Sequence, residues 1–165
     1  MKAIETYYDG YRFRSRLEAR WAIFFNELGI KFEYEPQGYV LKSGETYLPD
    51  FYLPFFGPSY CEVKPYGGNF SKAIDFSIES KSGILLLEGP PDFVAYEVSF
   101  SPDGSNWCSV EVAFLYADAA AENRLFVSGI VDIHGNDATR LSELDKDLFD
   151  PRVHEAIAAA RGFRG

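Results

Sequence analysis

Three charged residues stand in apolar surroundings: Asp50 in the stretch YLPDF and, further along, Glu62 and Lys64 in CEVK. Two carboxylates brought close together repel, so a site that keeps both ionised needs a compensating cation or salt-bridged partners. Magnesium favours hard oxygen ligands and keeps several waters. Asp50 and Glu62, with the Val63 backbone carbonyl as a further oxygen, would therefore suit it without a complete protein cage. A cation held there would orient and acidify water and offset charge on a phosphoryl group, which would make a hydrolytic centre. Lys64 has the reach to hold the attacking water or a phosphate oxygen. Neighbouring carboxylates favour its ammonium form, so positioning and electrostatic stabilisation are expected of it more than proton abstraction. Glu18 either approaches such a metal through a water or serves only as a helix cap.

The elements that must position these groups show in the hydrophobic pattern. In SRLEARWAIFFNELG, Leu17, Trp21, Phe24 and Leu28 follow a helical stripe that Gly29 ends. Ser15 and Glu18 fit a capping box, in which the serine accepts a backbone hydrogen bond and the glutamate returns one. IKFEYEP alternates Ile30, Phe32 and Tyr34 with Lys31, Glu33 and Glu35, predicting a strand with one buried face that ends at Pro36. Pro49 argues for a strand start, an edge or an irregularity inside YLPDFYL. That piece and YCEVK predict a hairpin across PFFGPS. A turn centred near Phe56 makes Asp50 and Glu62 cross-strand neighbours, and their two-residue spacing puts Glu62 and Lys64 on one face.

A helix over Ser71 to Ser80, with Ile74 and Ile78 as its apolar stripe, followed by a buried strand in ILLLEG, suits an α/β crossover. FVAYEVSF, WCSVEVAFLY and LFVSGIVDI predict further strands, and DAAAEN a small helix or turn. DPRVHEAIAAARG predicts a terminal helix begun near Asp150-Pro151 and ended by Gly162.

With 165 residues, 47% of them hydrophobic and 17% aromatic, the chain can build one substantial core. A single domain over 1–165 is expected, with the motif-bearing core in 10–91 and a fold-completing or partner-recognising extension in 92–165. No apolar run is long enough to cross a membrane and no signal segment opens the chain, so a cytoplasmic or other intracellular location is expected. Cys61 and Cys108 are too few for a cysteine-based metal framework and read as partly buried thiols.

The net charge of −9 argues against generic nucleic-acid binding, which requires a basic surface. The charge is uneven, however. Arg12, Arg14, Arg16 and Arg20 cluster near the start, Lys72 lies near CEVK, and no lysine or arginine occurs between Lys81 and Arg124. A local phosphate-binding face is compatible with this pattern, and so are internal salt bridges for any single arginine. Trp21, Phe24, Phe32 and Phe51 read as core. Tyr66 and Phe70, which flank GGN, are candidates for a strand or substrate contact. His134, His154, Asp132 and Asp137 show no convergent spacing, and Ser128-Gly129 falls short of a nucleophile elbow.

Taken in order, RFRSRLEARWAIFFNELGI, YEP, YLPDF, CEVKP and the helix-strand unit ending in ILLLEGPP resemble the PD-(D/E)XK nuclease superfamily, particularly its small phage-associated members. The resemblance covers residues 10–91. It implies an α/β, restriction-endonuclease-like fold with a mixed central sheet flanked by helices, here extended by C-terminal strands and a terminal helix. It also implies Mg2+-dependent hydrolysis of DNA phosphodiester bonds, with Mn2+ as a substitute, in a setting such as a phage-infected bacterial host. Glu18, Asp50, Glu62 and Lys64 match the family's catalytic positions. Branched or otherwise structured DNA, a homodimer and a basic protein partner are all compatible with it. An alternative of a different class is a catalytically inactive, nuclease-like acidic protein that binds or inhibits a basic partner.

Overall fold

The first elements form from local signals. Strands β1 (Thr6–Tyr8) and β2 (Tyr11–Phe13) pair antiparallel around Asp9 and Gly10, both left-handed at φ 47° and 79°, as a tight two-residue hairpin demands. Helix α1 (Arg16–Glu27) starts at Ser15, whose hydroxyl accepts the Glu18 amide at 3.1 Å. It ends at Gly29, left-handed at φ 69°. There the Gly29 amide donates to Asn26 O at 2.9 Å and the Ile30 amide to Phe25 O at 2.8 Å, a Schellman closure. In this computed structural model the described residues are 3–54, 59–92, 94–100, 108–117, 125–132 and 151–165.

Among the described residues the chain is mixed α/β, with three helices, a seven-stranded mixed sheet and two small hairpins. Strand β3 (Glu33–Tyr34) is shorter than the alternation in IKFEYEP predicts: it pairs only with the two residues of its partner strand, Phe51 and Tyr52, and Glu35 turns left-handed at φ 48°; Ile30 is nevertheless buried, and Phe32 and Tyr34 pack against the core. A hairpin of β4 (Tyr39–Val40) and β5 (Thr46–Tyr47) follows. Next come β6 (Phe51–Tyr52), β7 (Tyr60–Lys64), helix α2 (Ser71–Ser80) and β8 (Ile84–Glu88). Strands β9 (Val94–Phe100), β10 (Cys108–Ala117) and β11 (Leu125–Asp132) extend the sheet, and helix α3 (Pro151–Gly162) closes the described chain. The sheet order is β11-β10-β9-β8-β7-β6-β3. Strands β7 and β8 are parallel, joined through α2, and the other neighbouring pairs are antiparallel.

The uninterrupted apolar run in ILLLE follows from burial on both faces. Leu85 and Leu87 pack with Trp21, Phe24 and Phe51 on the α1 side, while Ile84 and Leu86 pack with Tyr47 and Phe76 on the α2 side. Helix α1 buries more than the predicted stripe, including Ala22, Ile23 and Phe25, because α3 covers a second side of it with Val153, Ala156, Ile157 and Ala160. The predicted stripe of α2 is rotated. Phe76 takes the sheet side, 4.6 Å from Tyr39 and 5.1 Å from both Tyr47 and Tyr60 between ring centroids, and leaves Ile78 48% exposed.

Cys61 is a free, fully buried thiol. The DAAAEN segment, His134 and Asp137 lie outside the described residues. Among the described residues no helix is long and apolar enough to cross a membrane.

Candidate active site

Strands β6 and β7 pair Phe51 with Cys61 and Tyr52 with Tyr60, a register whose next opposed pair is Asp50 and Glu62. The ladder stops there for a covalent reason. Val63 would next exchange bonds with Pro49, which has no N–H to donate. The Asp50 side chain fills the gap instead, and its Oδ2 accepts the Val63 amide at 2.7 Å. A strand residue sends its N–H and C=O to the same side, so the Val63 carbonyl also leaves towards Pro49.

Glu62 and Lys64 share the opposite face of β7 from Val63. Lys64 Nζ lies 2.6 Å from Glu62 Oε1, and the Tyr47 hydroxyl donates to Glu62 Oε2 at 2.8 Å. Asp50 and Glu62 are each 4% exposed. Arg14, on the segment entering α1, places Nη2 3.2 Å from Asp50 Oδ1, and its Nε pairs with Glu35. Glu18 is held by three donors: the Ser15 hydroxyl at 2.7 Å to Oε1, and the Arg14 amide at 3.2 Å together with the Tyr34 hydroxyl to Oε2. The returned bond of the capping box thus goes to the Ser15 hydroxyl and the Arg14 amide rather than to the Ser15 amide.

These groups line a cleft of about 510 Å³. Arg14, Tyr47, Asp50, Glu62 and Lys64 form part of its lining, and Asn69, Ser71 and Lys72 at the start of α2 form another part. Lys72 also pairs with Glu45 at 3.0 Å. The other sequence-derived cations go elsewhere. Arg12 pairs with Glu5 at 2.6 Å, Arg20 donates to Phe163 O at 3.2 Å, and Arg16 lies beside Gly165. Arg16 and Arg20 face the carboxy-terminal segment and make no basic edge along this cleft, because that segment lies against their side of α1. Tyr66 is exposed and covers Gly89, while Phe70 packs against the cluster around Phe76.

Electrostatics follow from burial. Desolvation, then the charges of Glu62 and Glu18, push Asp50 up to about 8, against the opposing Val63 amide and Lys64. For Lys64, burial acts downwards, but the hydrogen bond and charge of Glu62 and the charge of Asp50 outweigh it and raise the ammonium's pKa. Tyr47 is raised by burial and by Glu62, so it remains a hydroxyl donor. Burial likewise raises the Cys61 thiol.

Among the described residues no group of three or more His, Cys, Asp or Glu side chains is placed to hold a metal. The site therefore offers two carboxylates and a backbone carbonyl, with Glu18 kept in its own network. Tyr47 and Tyr34, which hold Glu62 and Glu18, received no role from the sequence. Both lie inside quoted motifs, YLPDF and YEP, but the contacts depend on pairing between distant segments. No protein-family profile, curated protein or solved structure matches the chain.

Proposed function

We propose that this protein is a magnesium-dependent endonuclease of the PD-(D/E)XK type that hydrolyses DNA phosphodiester bonds, with β6, β7, α2 and β8 as the heart of a restriction-endonuclease-like core. The observation that supports this most is the register-set opposition of Asp50 and Glu62 in a cleft where Lys64 shares the face of Glu62. The donor set fits the ion. Asp50, Glu62 and the Val63 carbonyl are hard oxygens, and magnesium completes its shell with water, so a third carboxylate is not required. Burial, then the charges of Glu62 and Glu18, raise Asp50 in the metal-free protein, and a cation would offset that charge. Mn2+ would fit the same ligands, and Glu18 would reach the ion only through water.

When bound, magnesium supplies Lewis acidity, acidifying water and offsetting phosphoryl charge. Lys64, kept as an ammonium by Glu62, would orient the attacking water or a non-bridging phosphate oxygen. Arg14 and Lys72 would hold phosphates at the cleft. An acidic remainder restricts DNA contact to this local groove, which suits structured DNA or a basic partner that screens the charge. A homodimer would pair two strand cuts. The reading places the activity inside cells, with a phage-infected bacterium as a natural setting.

One observation favours a second reading. Every oxygen of Asp50 and Glu62 already has a protein partner in Val63, Arg14, Tyr47 or Lys64, so the network can persist without metal in an inactive acidic binding protein. A screen of single-stranded, duplex, flap and branched DNA with Mg2+ separates the two. Cleavage by the wild type, reduced at least about 100-fold in folded Asp50→Asn, Glu62→Gln and Lys64→Met variants, is the expected result. Undiminished cleavage by all three variants would overturn the proposed centre.

A further inference from the structure

Arg14 combines an anchored backbone with an exposed side chain. Its amide is shared by Glu18 Oε2 at 3.2 Å and the Tyr34 hydroxyl at 3.0 Å, which anchors the residue at the entrance to α1. Its side chain is 56% exposed and spans two acids. Its Nε pairs with Glu35, and Nη2 lies 3.2 Å from Asp50 Oδ1.

Asp50 Oδ1 is the oxygen that the Val63 amide leaves unused. It is therefore the carboxylate oxygen best placed to ligate a cation, and a guanidinium already covers it. Two cations at one oxygen repel, so a divalent ion must compete with Nη2 for this position. Glu35 gives the guanidinium a second hold when it yields. The planar fork then has donors to turn towards the cleft, in a geometry that matches phosphate.

We propose that Arg14 is an exchangeable positioning cation. It covers Asp50 Oδ1 in the metal-free protein, yields that oxygen to a divalent ion, and, still held by Glu35, turns to a phosphate of the nucleic acid. The inference rests on the nuclease reading and adds an order to it: Arg14 opposes metal binding alone and supports cleavage once both metal and DNA are present.

Mn2+ binding to the purified full chain, followed by its electron paramagnetic resonance signal without DNA, tests the exchange in wild type, Arg14→Gln and Arg14→Lys. Cleavage of a duplex at saturating Mn2+ provides the second readout, and melting temperatures confirm that the variants fold. Arg14→Gln is expected to bind Mn2+ about tenfold more tightly, since one charge-assisted bond need no longer be broken, and to cleave at least about tenfold more slowly. Arg14→Lys keeps the charge but lacks the fork that spans Glu35 and Asp50, so its Mn2+ affinity should also rise. Wild-type Mn2+ affinity in both variants, beside a wild type that binds metal and cleaves, overturns the exchange and leaves the nuclease reading intact. A rise in Arg14→Gln alone also overturns it, because it reduces the effect to net charge. Absence of both Mn2+ binding and cleavage in the wild type removes the nuclease reading and this inference together.

Discussion

Asp50 Oδ2 accepts the Val63 amide at 2.7 Å, and this bond stands where Pro49 interrupts the β6–β7 ladder. It ties one carboxylate directly to the strand that carries Glu62 and Lys64. The separation of the two acids is therefore fixed by backbone pairing rather than by flexible side chains. The energetic consequence is that burial, and then repulsion from Glu62 and Glu18, raises Asp50.

That consequence sets a pH dependence of stability in the metal-free protein. Asp50 stands near 3.8 in the unfolded chain and near 8 in the fold. Between those values the folded chain keeps a proton that the unfolded chain has released. Stability therefore falls as pH rises through this window, the contribution being absent below it and complete above it. Thermal melts in a chelator should show the wild type losing more stability between about pH 5 and about pH 9 than Asp50→Asn loses. Parallel curves would exclude Asp50 as the titrating group. Added Mn2+ should flatten the wild-type slope, because the ion displaces the proton.

Tyr47→Phe isolates the support of Glu62. The ring is 5% exposed and packs 5.1 Å from Phe76, so the substitution removes the hydroxyl and leaves the packing. Glu62 Oε2 then lacks its 2.8 Å donor, and an orphaned buried acceptor costs about 1–3 kcal/mol. The variant should melt below wild type without metal and gain more from saturating Mn2+, which would satisfy the orphaned oxygen. Equal gains from Mn2+ in the two proteins would show that Tyr47 does not support a metal ligand.

Glu18 has a cap-like contact and a place near Asp50, and paired variants separate these roles. Ser15→Ala removes the hydroxyl that caps α1, at a cost of about 1 kcal/mol, while the Tyr34 and Arg14 bonds to Glu18 remain. Glu18→Gln should cut cleavage by about 10- to 100-fold, the scale for losing a group that orients the ligand shell. If cleavage in Glu18→Gln falls no further than in Ser15→Ala, the glutamate acts through the helix alone.

Local spacing carried much of this site. Counted from a turn centred near Phe56, which lies outside the described residues, the sequence opposes Asp50 to Glu62, and the observed pairing of Phe51 with Cys61 has that register. The bounds of α2 are legible for a similar reason, since the GGN turn and Gly83 bracket it. Its buried side is not, because Phe76 inserts among Tyr39, Tyr47 and Tyr60 from three separate segments. Arg16 and Arg20 read as a basic edge on a helical wheel, yet a carboxy-terminal segment more than 140 positions away in sequence lies against them. Tyr34 and Tyr47 were illegible on the same ground: their acceptors, Glu18 and Glu62, are reached through tertiary pairing.

Gly68 provides the most selective test of Lys64. The Gly68 amide donates to Pro65 O at 2.9 Å, and Gly67 is left-handed at φ 74°, so Pro65–Gly68 forms a tight turn that folds back on the lysine stem. A Cβ at Gly68 would stand 2.5 Å from Lys64 Cβ, 2.9 Å from Pro65 O and 3.1 Å from Lys64 Cγ. Gly68→Ala must therefore shift the lysine stem or the turn, and a displacement near 1 Å at a catalytic group can cost about 100-fold in rate. The expected result is a loss of cleavage of at least about tenfold with Mn2+ affinity close to wild type, since Asp50 and the Val63 carbonyl are untouched. Gly67→Ala is the control. Its Cβ would meet nothing within 4 Å, so it strains the left-handed turn without touching Lys64 and should lower stability more than activity. Equal losses of cleavage in the two variants would assign the effect to the turn and remove Gly68 as a positioning residue for Lys64.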